Sequence, residues 1–130
     1  MTDKILSDFT QNYALLGEKG GITLFEGGDA FWNLPAETFD KIGQNWLITE
    51  FEFDEDWATW EMHPHSEEIV YLLSGEMDLT LKKEDFSQII KLRSKGLVVI
   101  PPNTWHTAKV LKPSKMLVIT LGKDTQIKPV

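Results

Sequence analysis

The sequence predicts an all-β domain, a sandwich or a barrel. Three observations predict it. Short runs rich in branched and aromatic residues follow one another along the chain. Glycine, proline, asparagine and aspartate interrupt them at short intervals, and only one stretch carries a clear helix signal.

Taken in order, residues 8–16 are open between a short helix and an extended arm. A first strand over 22–25 ends at Gly27-Gly28-Asp29. Residues 35–42 read as the helix, with Pro35 in the first turn, where a missing N–H leaves no intrahelical bond unmade. Strands over 46–53 and 57–65 flank Asp54-Glu55-Asp56, a hydrated hairpin whose spacing matches no calcium loop. Strands over 68–73 and 77–82 are separated by Ser74-Gly75; a strand over 88–92 leads to Ser94-Lys95-Gly96. Strands over 97–100, 106–111 and 115–121 are divided by Pro101-Pro102-Asn103 and Lys112-Pro113-Ser114. In 77–82, Met77, Leu79 and Leu81 alternate with Asp78, Thr80 and Lys82, as in a strand with one solvated face. In 68–73 both alternating sets, Ile69/Tyr71/Leu73 and Val70/Leu72, are apolar. Tyr71, Trp46 and Trp105 read as core residues rather than a substrate platform.

A chain of 130 residues is expected to form one domain, 1–130, with enough core to need no disulfide. It contains no cysteine, which excludes thiolate metal sites and cysteine catalysis and fits a reducing compartment. The net charge of −7 argues against nucleic acid, whose phosphates need a basic footprint. The first nine residues lack the basic and apolar segments of a signal peptide or anchor, and no run approaches the roughly 18 apolar residues of a membrane span. The expectation is a cytoplasmic protein without membrane or nucleic-acid partners.

The chemistry concentrates in Glu61-Met-His63-Pro-His65-Ser-Glu67-Glu68 and in His106. The chain has three histidines, and all three fall here. Imidazole and carboxylate are ligands for a divalent transition metal. Side chains two apart on a strand share a face, so Trp57, Thr59, Glu61, His63 and His65 form one side, and Ala58, Trp60 and Met62 the apolar other. His106 would share its side with Thr104, Ala108 and Val110. Glu61 is a candidate catalytic carboxylate: buried, its pKa would rise and it could act as acid or base. Left at a rim, it would be an ordinary solvated residue.

These residues resemble a family. His63-x-His65, Glu68, six residues and Gly75 are similar to the first motif of the cupins. Gly96, four residues, Pro101-x-Asn103-x-x-His106 are similar to the second, with Asn103 where the family has glycine; Asn tolerates the positive φ that turn requires. Gly75 and Gly96 would serve sharp turns. The resemblance implies a double-stranded β-helix, a jelly-roll barrel with its core over roughly 40–122, its site in the lumen and a short N-terminal helix or arm. It implies metal ligation by His63, His65, Glu68 and His106. Only two residues separate His65 from Glu68, so Glu67 is the alternative carboxylate, although the spacing back from Gly75 selects Glu68. The metal would be iron, manganese, nickel or zinc, the substrate a small molecule, and the chemistry of oxygenase, isomerase or decarboxylase type. The other reading is a non-catalytic ligand-binding or sensor cupin, with or without metal. The family habit of dimerising through sheet edges implies a homodimer.

Overall fold

A computed structural model describes residues 6–130. The first five residues of the amino-terminal stretch considered above lie outside the described residues. Among those described, nine strands and two short helices form: β1 (Asn12–Leu16), β2 (Ile22–Glu26), α1 (Asp29–Trp32), α2 (Ala36–Ile42), β3 (Leu47–Phe53), β4 (Thr59–Met62), β5 (Glu68–Lys83), β6 (Phe86–Arg93), β7 (Leu97–Ile100), β8 (Trp105–Thr120) and β9 (Gln126–Pro129). No described helix is long and apolar enough to cross a membrane.

The strands pair antiparallel throughout. Strands β5 and β8 run through both layers of the fold. The first half of β5 pairs with β7 and with the end of β8, which continues through β3 and β1 to β2. Its second half pairs with β6 and with the start of β8, which continues through β4 to β9. Val70, Leu72, Met116 and Val118 from the first layer meet Met77, Leu79, Leu92 and Ala108 from the second in one buried cluster. A second cluster gathers Tyr13, Phe31 and Ile42 beneath the two helices, with Leu15, Leu47 and Phe51 packed against it.

The main departure from the expected elements has a clear cause. Residues 68–73 and 77–82 form one strand, as do 106–111 and 115–121, because the two expected breaks lie opposite each other. Ser74 pairs with Lys115 and Glu76 with Lys112, across register shifts. Two turn-forming sequences side by side make a bulge and a bend rather than two loops. Gly75 adopts φ 102°, and a Cβ there would strike Ser114 Oγ and the Pro113 carbonyl.

Residues 12–16, placed between helix and arm, form a strand because Tyr13 and Leu15 point inward while the backbone bonds to β2 and β3. Asn103 takes φ 59°, as its turn requires, and its N–H donates to the His63 carbonyl at 3.1 Å. Strands β1, β2 and β9 lie outside the 40–122 stretch; β1 and β9 pair with strands inside it, and β2 joins the sheet through β1.

Candidate metal centre

Two strands and the segment that follows a third deliver the site. Strand β5 begins at Glu68, whose side chain faces the interior with Val70 and Leu72. Strand β8 carries His106, paired across the sheet with Leu81 on one side and Glu61 on the other. His63 follows the last residue of β4. All three are buried, His63 at 8%, Glu68 at 6% and His106 at 1% exposed. Their ligand atoms lie within 4.8 Å of one another, and the group could hold a metal ion.

The hydrogen bonds around the two histidines dictate which nitrogen faces the carboxylate. His106 Nδ1 lies 3.1 Å from the Thr104 carbonyl, which only accepts, so Nδ1 carries the proton. Thr125 Oγ1 donates to the Gly122 carbonyl at 2.8 Å, so it accepts from His63 Nδ1–H at 2.7 Å. In the neutral imidazoles both Nε2 lone pairs therefore face Glu68. His106 Nε2 stands 2.9 Å from Oε1, and His63 Nε2 stands 3.4 Å from Oε2. The first contact is close without being aligned as a hydrogen bond, so Oε1 is a buried acceptor without a donor. Two lone pairs and a carboxylate cannot converge in a low-dielectric interior without a cation among them. That cation is a proton or a metal. Two imidazoles and one carboxylate, with outer nitrogens fixed by hydrogen bonds, are a fitting donor set for a transition metal.

Without metal, the proton fills that role. Burial alone would raise the Glu68 carboxyl, but His106 and then His63 overcome it and hold it down at about 2. Burial alone would lower His106; the Glu68 carboxylate overcomes it, with the Thr104 carbonyl and Glu61 acting in the same direction, and raises it. Glu61 is raised, chiefly by burial and further by Glu68, against the pull of His106 and His63.

The sequence-derived candidates separate. His63, Glu68 and His106 come together, and Glu61 lies beside them across the β4–β8 pairing. Glu67 is exposed. His65 does not join: it is exposed and its Nε2 pairs with Asp124 Oδ2 at 2.8 Å. The expected shared face for His63 and His65 requires a strand through both, but β4 ends at Met62 and the alternation ends with it. Sequence reasoning missed Thr125, in the turn before β9; its signal was the Gly122-x-x-Thr125 hydroxyl turn.

The indole of Trp57 packs edge-on to His106, ring centres 6.2 Å apart, and its Nε1–H is buried without a partner. An open pocket of about 320 Å³ reaches Trp57, Thr59 and Glu61 from the Asp54-Glu55-Asp56 turn. A larger groove of about 810 Å³ runs along the β1–β2 hairpin and includes no histidine. Trp105 lies half-buried on the outer face under Lys128 and Trp46 is exposed, so neither is the core residue expected of it, and neither lines the site.

A family model described as a cupin domain matches residues 48–120. No curated protein matches by sequence. Among solved structures, a recombinant oxalate oxidase in complex with glycolate aligns at 19% identity and TM-score 0.54, over 64% of this chain and 45% of that one. A Streptomyces protein, PAC13, with uridine aligns at 14% identity and TM-score 0.56, over 65% and 68%. The coconut allergen cocosin aligns at 10% identity and TM-score 0.57, over 72% and 25%. The chain thus spans less than half the length of the oxalate oxidase, and these likenesses are of fold.

Proposed function

The chain belongs to the cupin family, since the cupin-domain match covers more than half of it, and from that premise we propose that it is a metal-dependent protein acting on a small molecule. The observation that carries this reading is the convergence of His63 Nε2, His106 Nε2 and Glu68 in a buried site, with Thr125 and Thr104 pinning the outer nitrogens. His63, Glu68 and His106 hold the metal, which is iron, manganese, nickel or zinc. Bound there, it supplies oxygen activation or Lewis-acid polarisation, the chemistry of an oxygenase, isomerase or decarboxylase.

The chain's own residues supply the rest. Glu61, its carboxyl raised by burial, holds a proton closer to neutral pH than a solvated glutamate would and exchanges it at its carboxylate oxygens. Trp57 walls the cavity beside His106 and offers its unpartnered Nε1–H to a ligand oxygen. The pocket at the Asp54–Asp56 turn admits a small molecule. His65, which the family likeness makes a fourth ligand, would have to leave Asp124 to serve. The reading takes the chain as a single domain, placed in the cytoplasm and forming a homodimer.

A second reading has its own observation. Glu68 held near 2 beside a raised His106 is a buried ion network that a proton completes. A non-catalytic ligand-binding cupin needs nothing more. Elemental analysis of tag-free protein separates the two. Near-stoichiometric metal, lost in Glu68→Ala, supports the first reading. Metal far below stoichiometry, with no uptake on reconstitution, overturns it in favour of the second.

A further inference from the structure

The pocket at the Asp54-Glu55-Asp56 turn has a composition that the β1–β2 groove lacks. Acids make up 20 of the chain's 130 residues, yet five of the nine residues that line this pocket are acids: Glu52, Asp54, Glu55, Asp56 and Glu61. No lysine, arginine or histidine lines it. The groove has one acid, Glu26, among seven lining residues. The acidity of the whole chain therefore does not account for the pocket.

The turn is tied down. Asp56 Oδ1 accepts from the Val110 N–H at 2.7 Å, and the Trp57 N–H donates to the Ala108 carbonyl at 3.0 Å, both on β8. Glu52 shares Lys115 at 3.9 Å. Among the described residues, no lysine or arginine pairs with Asp54, Glu55 or Glu61. Three carboxylates thus line one concave space without a counter-charge, and the Phe53 and Trp57 walls focus their field. Glu61 and Trp57 both neighbour His106. An acidic turn alone would be an ordinary solvated feature; Trp57 points to a ligand. Its Nε1–H is the only donor among the described buried side-chain atoms without a partner. An indole among carboxylates also suits an ammonium group, which is drawn to both.

We infer that this pocket receives an organic cation: a small ammonium compound that also carries an oxygen for Trp57 Nε1–H. Anionic small molecules are turned away. The inference rests on the proposed reading of Glu61 and Trp57 as the substrate side of the site, and adds the substrate's charge. The apolar wall and a volume of about 320 Å³ suit an organic ion better than a bare metal ion.

The test follows the Trp57 Nε1–H signal by nuclear magnetic resonance, identified by its loss in Trp57→Phe, in zinc-treated and chelator-treated full chain. Three probes share a shape and differ in charge: choline, 3,3-dimethylbutan-1-ol and 3,3-dimethylbutanoate. Ethanolamine is the primary-ammonium probe, and ethylene glycol its neutral match. At least one cation should bind with a Kd of about 10 mM or tighter, about 10-fold tighter than its neutral match, and the anion should shift nothing. Asp54→Asn/Glu55→Gln, which spares the tethering Asp56, should weaken the cation about 5- to 10-fold with an unchanged far-ultraviolet spectrum. Glu84→Gln/Asp85→Asn removes the same charge at the exposed turn between β5 and β6 and should not. Neutral or anionic probes that bind as tightly as the cations overturn the inference, as does silence from both cations. So do equal effects of the two double variants, or calcium at matched ionic strength displacing the cation. Cation binding in a protein that takes up no metal keeps this inference and sinks the metal reading; metal uptake without cation binding does the reverse.

Discussion

Two parts of the interior solve burial in opposite ways. Under the helices, Tyr13, Phe25, Phe31 and Phe39 meet edge to face, Phe31 sitting 5.0 Å from Tyr13 and 5.3 Å from Phe39. The single polar handle there is satisfied, because Tyr13 OH accepts from the Gly28 N–H at 3.1 Å. A few strands away, His63, Glu68 and His106 are as deeply buried but leave Oε1 without a donor, and Trp57 Nε1 beside them without an acceptor. The aromatic cluster is complete in itself. The polar cluster is complete only with a cation, a proton or a metal, which makes it the candidate for binding in this interior.

Perturbing each part should therefore read out differently. The largest effect on stability is expected at the aromatic cluster. Phe31→Ala should lower unfolding free energy by about 3–5 kcal/mol in denaturant titrations, while metal per folded chain stays unchanged. Glu68→Ala should do the reverse, abolishing metal uptake on elemental analysis. In chelator-treated protein it should cost about 3 kcal/mol, by leaving His106 without its partner.

The pH dependence should also split the two states. Glu68 is depressed to about 2 from an ordinary value of 4.5, so its contribution is present above 4.5 and lost as pH falls toward 2. His106 is raised above 6.5, so its contribution is present below 6.5 and lost as pH rises through its folded value. Metal-free protein should thus be most stable between about pH 4.5 and 6.5. Metal affinity should instead climb across neutral pH, since binding needs the Nε2 lone pairs free. Thermal melts across pH, with and without metal, check both slopes; parallel curves would sink the proton-or-metal account.

A smaller effect is expected at Thr125→Val, which removes the acceptor for His63 Nδ1–H. Metal affinity should fall about 10- to 100-fold by competition titration, with stability nearly unchanged. The smallest belongs to His65→Ala. Its pair with Asp124 is exposed, so stability should change by less than about 1 kcal/mol, and metal content should hold. A large loss of metal there would show that His65 turns inward to ligate.

By itself the sequence determined what depends on local chemistry. Alternation in 77–82, the apolar run at 97–100 and the helix after Pro35 announced the second half of β5, β7 and α2 where they stand. The family motif's spacing back from Gly75 favoured Glu68 and left Glu67 as the alternative, and the positive φ needed after Pro102 explained Asn103. The tertiary structure alone decided what depends on where strands end and which segments meet. It stopped β4 at Met62 and sent His65 to the surface. It set two turn sequences against each other and made them a bend. It brought Thr125 back, from 62 residues along the chain, to hold His63. A residue's face follows from local periodicity while the strand lasts; its partners are set by pairing between distant strands, and no local pattern encodes those.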